Sequence, residues 1–297
     1  MNSADCNFFS YLGGMNAPVL NLADRKVCAK NGIFIMGIIN CTPDSFYEGS
    51  RVNCTEQAVE TALKMVADGA DVLDLGAEST RPGAEYVSDE EQIARLIPVI
   101  KAIRAKSDCP ISIDCRRLSV FKAAVEAGAD ILNDVSAFED DENLAEFCAL
   151  HNLPVILMHK RANPSQMMQN VQYTDVVAEV AQYLQARVDY SLSKGIKQDK
   201  IILDPGIGFA KNLGDNCKIV KNSFAFSLGG KYPVLIGASR KTCVGQITGK
   251  ETENRLAGTL AIHMLAAQHG ASWLRVHDVA ETVDCMKMLK GIENDND

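Results

Sequence analysis

The sequence predicts one α/β domain folded as a (β/α)8 TIM barrel, with a short N-terminal cap before its first strand. Three observations predict it. Short β-rich apolar runs alternate eight times with helix-length amphipathic stretches. The runs are mostly apolar, as strands of a parallel sheet buried on both faces are. Unusual polar residues gather just after the runs, at the strand ends where barrels of this kind carry their sites. A doubly wound open sheet is the alternative, and it would usually have fewer strands.

Residues 1–32 show no helix periodicity and read as a cap or hairpin closing the barrel floor. Strands are expected over 33–39, 72–75, 111–114, 131–133, 155–158, 201–203, 234–236 and 273–276. Helices are expected over 56–67, 89–104, 119–127, 142–151, 173–194, 215–228, 255–269 and 280–291. Two of them end on glycine, at Gly128 and Gly270, a residue that tolerates the left-handed conformation of a helix stop. No Pro/Gly/Ser linker interrupts the pattern, so 33–297 reads as a single barrel domain.

Composition narrows the function classes. With 297 residues, 47% of them apolar, the chain can bury one large core. A formal net charge of −8 argues against general affinity for nucleic acid or an anionic membrane. No apolar run has the length of a membrane span, and the N-terminus lacks a basic segment leading into an apolar one. The ten cysteines are scattered, with no Cys-x-x-Cys pair, so they read as reduced thiols in a cytoplasmic protein.

Every strand end carries a carboxylate, amide or base. They are Asn40; Asp74; Asp114; Asn133 with Asp134; Met158 with His159; Asp204; Ser239 to Lys241; and Arg275 with His277. A single strand-end aspartate is often only a helix cap. Eight of eight is harder to explain that way, because the closed barrel brings all eight to one mouth.

The same segments carry a family resemblance. Met36-Gly-Ile-Ile-Asn-Cys-Thr-Pro-Asp-Ser-Phe, Glu78-Ser-Thr-Arg-Pro-Gly-Ala, Asp204-Pro-Gly-Ile-Gly-Phe, Ser239-Arg-Lys and Arg275-Val-His-Asp-Val resemble the signatures of the dihydropteroate synthases, in order and at matching spacing. The resemblance implies condensation of a dihydropterin diphosphate with p-aminobenzoate, assisted by Mg²⁺, in a homodimer. It places the pterin on Asp114, Asn133, Asp204 and Lys241, with Met158 and Phe209 as apolar walls. It places the diphosphate on Asn40, Arg275 and His277, with Asn40 the protein ligand to the metal, and makes Asn40, Arg275, His277 and Lys241 the catalytic set. Phe46, Thr80, Arg81, Pro82 and Thr242 fall on the p-aminobenzoate side.

The chemistry fits those assignments. A pterin edge offers an exocyclic amine and a ring N–H, which suit a carboxylate such as Asp204. The plainer reading of Asp204 is a turn residue before Pro205-Gly206. A diphosphate needs cationic donors, and Arg275 and His277 alternate along one strand, so they share a face. Several positions depart from the family pattern. Glu48 replaces an aspartate, Ala77 and Ala210 each replace a glycine, and Thr242 replaces a serine. Cys115-Arg116-Arg117 and Lys160-Arg161-Ala162 are unusual, and all of these bear on the second substrate more than on the pterin.

Two other readings are weighed. A methyltetrahydrofolate-dependent methyltransferase would share the Asp/Asn/Asp pocket but not the Thr-Pro-Asp-Ser-Phe and Ser-Thr-Arg-Pro loops. A non-catalytic pterin-binding paralogue would be expected to have lost Arg275, His277 or Lys241, and all three are present.

Overall fold

The computed structural model describes residues 18–42, 51–78, 87–161 and 172–294. Phe46, Glu48, Thr80, Arg81, Pro82 and Ala162 lie outside the described residues.

Two short antiparallel strands come first, β1 (Val19–Asn21) and β2 (Lys26–Cys28), in register from Val19 opposite Cys28 to Asn21 opposite Lys26. The repeat then runs β3 (Phe34–Asn40), α1 (Arg51–Ala67), β4 (Val72–Gly76), α2 (Asp89–Arg104), β5 (Ile111–Asp114), α3 (Leu118–Ala127), β6 (Ile131–Asp134), α4 (Asn143–Leu150), β7 (Val155–Met158) and α5 (Val176–Ser193). It finishes with β8 (Ile201–Asp204), α6 (Leu213–Lys221), β9 (Leu235–Ile236), α7 (Thr242–Thr248), α8 (Leu256–Gln268), β10 (Trp273–Val276) and α9 (Val279–Asn294). All pairings in the eight-stranded sheet are parallel, in the order β8-β7-β6-β5-β4-β3-β10-β9. Its two edges meet where Leu203 bridges Val234 and the Leu203 N–H donates to the Pro233 carbonyl at 2.9 Å. The expected (β/α)8 barrel is therefore the observed one.

The period of two along each strand divides the barrel interior into two zones. The lower zone is apolar, built from Phe34, Met36, Val72, Ile131, Ile156, Ile202, Leu235 and Trp273, with Leu20 and Leu22 of the β1–β2 hairpin packed beneath. Phe34 and Trp273 stack with ring centroids 4.2 Å apart. Lys200 is buried and ties the hairpin to the floor, donating to the Asn21 and Leu22 carbonyls at 2.7 and 2.8 Å. Two residues further along the strands the same inward parity becomes polar: Val72 gives way to Asp74, Ile131 to Asn133, Ile202 to Asp204 and Trp273 to Arg275. The opposite faces of the strands pack under the helices in a second, larger apolar cluster that includes Leu73, Leu75, Leu96, Ile113, Phe121, Leu132 and Leu203.

Local chemistry sets the helix ends, and in places it overrides periodicity. Ser88 caps α2 by accepting from the Glu91 N–H, and Asp175 caps α5 by accepting from the Val177 and Ala178 N–H groups. Asn212 and Asp215 form a reciprocal capping box that starts α6 at Leu213. The helix expected over 215–228 stops at Lys221 and continues as a separate 3-10 turn over Ser223–Ser227. At the break, the Asn222 amide donates to the Lys218 carbonyl and the Ser223 hydroxyl to the Val220 carbonyl, replacing helical N–H donors. Helix α7 is an addition to the eight expected helices, a two-turn element between β9 and α8.

Ala77 and Ala210, expected from the resemblance to replace glycines, behave differently. Ala77 is absent from the residues with positive φ, so the alanine is accommodated without strain. Ala210 has φ +50° and is buried, a conformation that costs a residue with a Cβ about 1–2 kcal/mol.

Two outcomes follow for stability. Ala210→Gly should raise it by up to about 1 kcal/mol, since glycine's greater chain entropy offsets part of the relief, and this corresponds to roughly 2 °C in a thermal melt. Phe34→Ala should lower it by about 3–5 kcal/mol in urea unfolding, because the floor of the barrel loses a fully buried ring stacked on Trp273.

Candidate active site

The inward parity that makes the floor apolar points Asn40, Asp74, Asp114, Asn133, Met158, Asp204, Arg275 and His277 toward the upper mouth of the barrel. Parallel register sets their heights. Asp114 lies beside Asn133, Met158 beside Asp204, and Gly76 beside Asp114.

Four of these side chains form one hydrogen-bonded group. Arg275 donates from Nε to Asp74 Oδ2 at 2.6 Å and from Nη2 to Asp114 Oδ2 at 3.0 Å. The Asn133 amide nitrogen donates to the same Asp74 oxygen at 3.1 Å. Asp74 is wholly buried, and Asp114 and Asn133 nearly so. Burial pushes the Asp114 carboxyl up to about 7, against the opposing pull of the Arg275 guanidinium.

Asp204, Lys241 and Phe209 form the facing group. The Asp204 Oδ1 accepts the Gly206 N–H at 2.7 Å, so the turn role read from the sequence occupies one oxygen. Oδ2 has no hydrogen-bond partner among the described residues. Lys241 reaches the Ile207 carbonyl and lies over the Phe209 ring, 4.7 Å from its centroid. Burial raises the Asp204 carboxyl while the nearby Lys241 opposes the rise. Burial likewise lowers the Lys241 amine to about 8, with Asp204 acting against it.

The loop after β8 is shaped by Lys211, which carried no signal in the sequence. Its ammonium donates to the Gly206 carbonyl at 2.9 Å and the Phe209 carbonyl at 3.0 Å, and meets His159 Nδ1 at 2.9 Å. Burial drives His159 down to about 2, so the ring is neutral and accepts from the lysine. Gly206 has φ +72°, and a Cβ there would lie 2.1 Å from the His159 carbonyl oxygen. This glycine is what lets the Asp204 loop close over β7.

The remaining expected residues are more dispersed. Asn40 is exposed at the end of β3, and Thr242 is exposed on the first turn of α7. His277 leans on Ser239, its Nδ1 2.9 Å from the hydroxyl, which also accepts the His277 backbone N–H at 3.2 Å. Two strand-end groups are structural. Asp134 accepts from the Ser136 and Phe138 N–H groups and the Ser136 hydroxyl, holding its own loop, and His159 edges onto the Tyr183 ring.

The unusual basic residues also find a place. Arg116 grips Glu78 at 2.9 Å and Asp140 at 2.8 Å, and Lys160 grips Asp140 at 2.9 Å. This chain of ion pairs crosses from the end of β4 to the end of β7. Arg95 holds the Ala77 carbonyl at 2.9 Å on the other side. The residue the sequence reading left without a role is Asp74. Its signal was its inward parity two positions beyond Val72, which points it into the barrel opposite Ser112, one inward step below Asp114.

Residues 36–277 match a family described as pterin binding enzyme. The chain is 40% identical over 260 residues to the dihydropteroate synthase of Haemophilus influenzae, an alignment spanning 88% of this chain and 94% of that one. A solved structure of Xanthomonas albilineans dihydropteroate synthase with 4-aminobenzoic acid superposes with a TM-score of 0.86 at 41% identity, covering 93% of this chain and 98% of the other. The Xanthomonas albilineans enzyme in complex with 7,8-dihydropteroate superposes with a TM-score of 0.82 at 39% identity, over 93% of this chain and 99% of the other. With its motifs converging on one barrel mouth and its likeness to these enzymes running almost end to end, the chain belongs to the dihydropteroate synthase family of pterin-binding transferases.

Proposed function

We propose that the two facing groups at the barrel mouth hold one substrate of the dihydropteroate synthase reaction between them, gripping its pterin ring and its diphosphate. In that reaction 6-hydroxymethyl-7,8-dihydropterin diphosphate and p-aminobenzoate give 7,8-dihydropteroate and diphosphate. The observation that carries this placement is the opposition of Asp204, a buried carboxylate with one oxygen unpartnered among the described residues, to the Arg275 cluster.

On the pterin side, Asp204 Oδ2 accepts from the exocyclic amine and ring N–H, and Lys241 turns its remaining N–H donors to the ring's acceptors. Asp114 and Asn133 meet the other ring nitrogens, and Met158 and Phe209 form the walls. On the diphosphate side, Arg275 and His277 donate to the leaving group, with Asn40 at the rim. Bond breaking precedes bond making. The C–O bond of the methylene opens, its electron pair leaves on the diphosphate, and the electron-rich dihydropterin stabilises the cation that remains. The arylamine of p-aminobenzoate then forms the C–N bond and loses its extra proton to water. The nucleophile is neutral, so no strong base is required, and rate comes from leaving-group electrostatics and positioning. Phe46, Thr80, Arg81, Pro82 and Thr242 take the p-aminobenzoate side of this reading.

Magnesium belongs to the same proposal. Among the described residues no group of three His, Cys, Asp or Glu side chains is placed to hold a metal ion. The Asn40 amide oxygen at the rim is a hard ligand, and such a thin protein shell fits Mg²⁺, which keeps most of its waters. Bound there with the substrate, the ion would neutralise charge on the departing diphosphate oxygens.

The barrel of 33–297 acts in this proposal as one pterin-binding domain capped by 1–32. No helix among the described residues is long and apolar enough to cross a membrane. A cytoplasmic setting is supported by the unbridged thiols of Cys41, Cys109, Cys115, Cys148, Cys217, Cys243 and Cys285. A homodimer is supported by the outer face of α8, where Ala257, Ala261, Met264 and Leu265 are exposed at helical spacing, with Ile247 of α7 nearby at 62% exposure.

Pyrophosphate release from the dihydropterin diphosphate, measured with and without p-aminobenzoate, should require Mg²⁺ and should yield dihydropteroate when p-aminobenzoate is present. Asp204→Ala should lower kcat/KM for the pterin by about 10- to 100-fold, the worth of hydrogen bonds to a charged group. Pterin binding without turnover would instead identify a non-catalytic binder. Sedimentation equilibrium should give twice the chain mass, and Leu265→Asp should shift it to the monomer; a monomeric parent protein would remove α8 as an interface.

A further inference from the structure

We propose that Asp74 is the positioning residue of this site, aiming Arg275 at the leaving group and Asn133 at the pterin through one buried carboxylate oxygen. The inference rests on the proposed roles of those two partners, and it adds a residue that no motif assigns.

Among the described residues, Asp74 makes hydrogen bonds to two groups, and both are site side chains: Arg275 Nε at 2.6 Å and the Asn133 amide at 3.1 Å. It holds no backbone N–H. The other buried aspartates near the strands differ. Asp71 accepts the Ile35 and Lys30 N–H groups, and Asp134 accepts three donors of its own loop, so each serves the fold. Asp74 is wholly buried, its second oxygen has no partner among the described residues, and burying a carboxyl group so incompletely paired costs stability. The interactions it does make all lie within the site.

The guanidinium is a planar fork with five N–H donors. Here its Nε/Nη2 edge is shared between two carboxylates, Asp74 on Nε and Asp114 on Nη2. That sharing fixes the plane and leaves three donors at the far end for an anion. Without Asp74, the same edge would close on Asp114 alone as a bidentate pair. The arginine would then turn off its axis, and both Asp114 oxygens would be taken from the pterin. The carboxylate also settles the Asn133 amide. It only accepts, so it holds the NH2 group and directs the asparagine oxygen elsewhere in the pocket.

The test is steady-state kinetics on Asp74→Asn, with Asp74→Ser in parallel as a smaller replacement that tolerates repacking. The wild-type protein must first show synthase activity; if it does not, the functional reading fails and not this inference. Given an active parent, kcat should fall by about 10- to 100-fold and inhibition by inorganic pyrophosphate should weaken, while the KM for p-aminobenzoate stays within about twofold. A purely structural role would lower the amount of active enzyme without moving the pyrophosphate constant. In an Arg275→Ala background, Asp74→Asn should add almost nothing to the pyrophosphate effect, because Asp74 acts on the anion through that arginine. An unchanged kcat and pyrophosphate constant in both variants, or fully additive effects in the double mutant, would overturn the proposal.

Discussion

The site depends on a guanidinium held between two carboxylates inside a barrel. Taking these charges out of water costs several kcal/mol each, which a good mutual geometry must offset. Parallel register supplies that geometry. β4, β5 and β6 present Asp74, Asp114 and Asn133 at adjoining heights, and β10 sends the long Arg275 side chain up from the layer of Met36. The apolar floor matters for the same reason. Phe34, Trp273 and the hairpin leucines keep water from reaching the pair from below, so the charges are left to interact with one another and with whatever enters from above.

Much of this was legible in the sequence because it rests on periodicity. Eight apolar runs gave eight strands, and a period of two from Val72, Ile131, Ile202 and Trp273 leads directly to Asp74, Asn133, Asp204 and Arg275. What periodicity cannot reveal is competition for backbone groups. Asn222 and Ser223 end α6 early because their side chains take carbonyls that the helix would otherwise use. Nor does sequence alone separate Ala77 from Ala210, two glycine replacements of which one sits at ordinary φ and the other at +50°.

Long-range ion pairs were the other blind spot. Arg116 and Lys160 read as departures from a family pattern, and their partners Glu78 and Asp140 lie 38 and 20 residues away in the chain. Only the parallel pairing of β4, β5, β6 and β7 brings these strand ends together. Lys211 is similar. Its carbonyl partners exist because Gly206 and Gly208 take positive φ, a backbone path that no local pattern specifies. Asp74 was visible but unassigned, since a carboxylate that serves other side chains has no motif of its own.

The charge states give the mouth its character. Burial moves the Asp114 carboxyl up to about 7 and the Lys241 and Lys211 amines down to about 8 and about 7, so all three sit far nearer neutrality than in water. Each is held by a partner from the protein: Arg275 for Asp114, the Ile207 carbonyl for Lys241, and the Gly206 and Phe209 carbonyls for Lys211. A ligand entering this mouth exchanges hydrogen bonds more than it creates them. Affinity then depends on how little the protein groups must reorient when they change partner. An arginine already fixed along one edge meets that condition, since its outward donors can take an anion while its two carboxylates stay where they are.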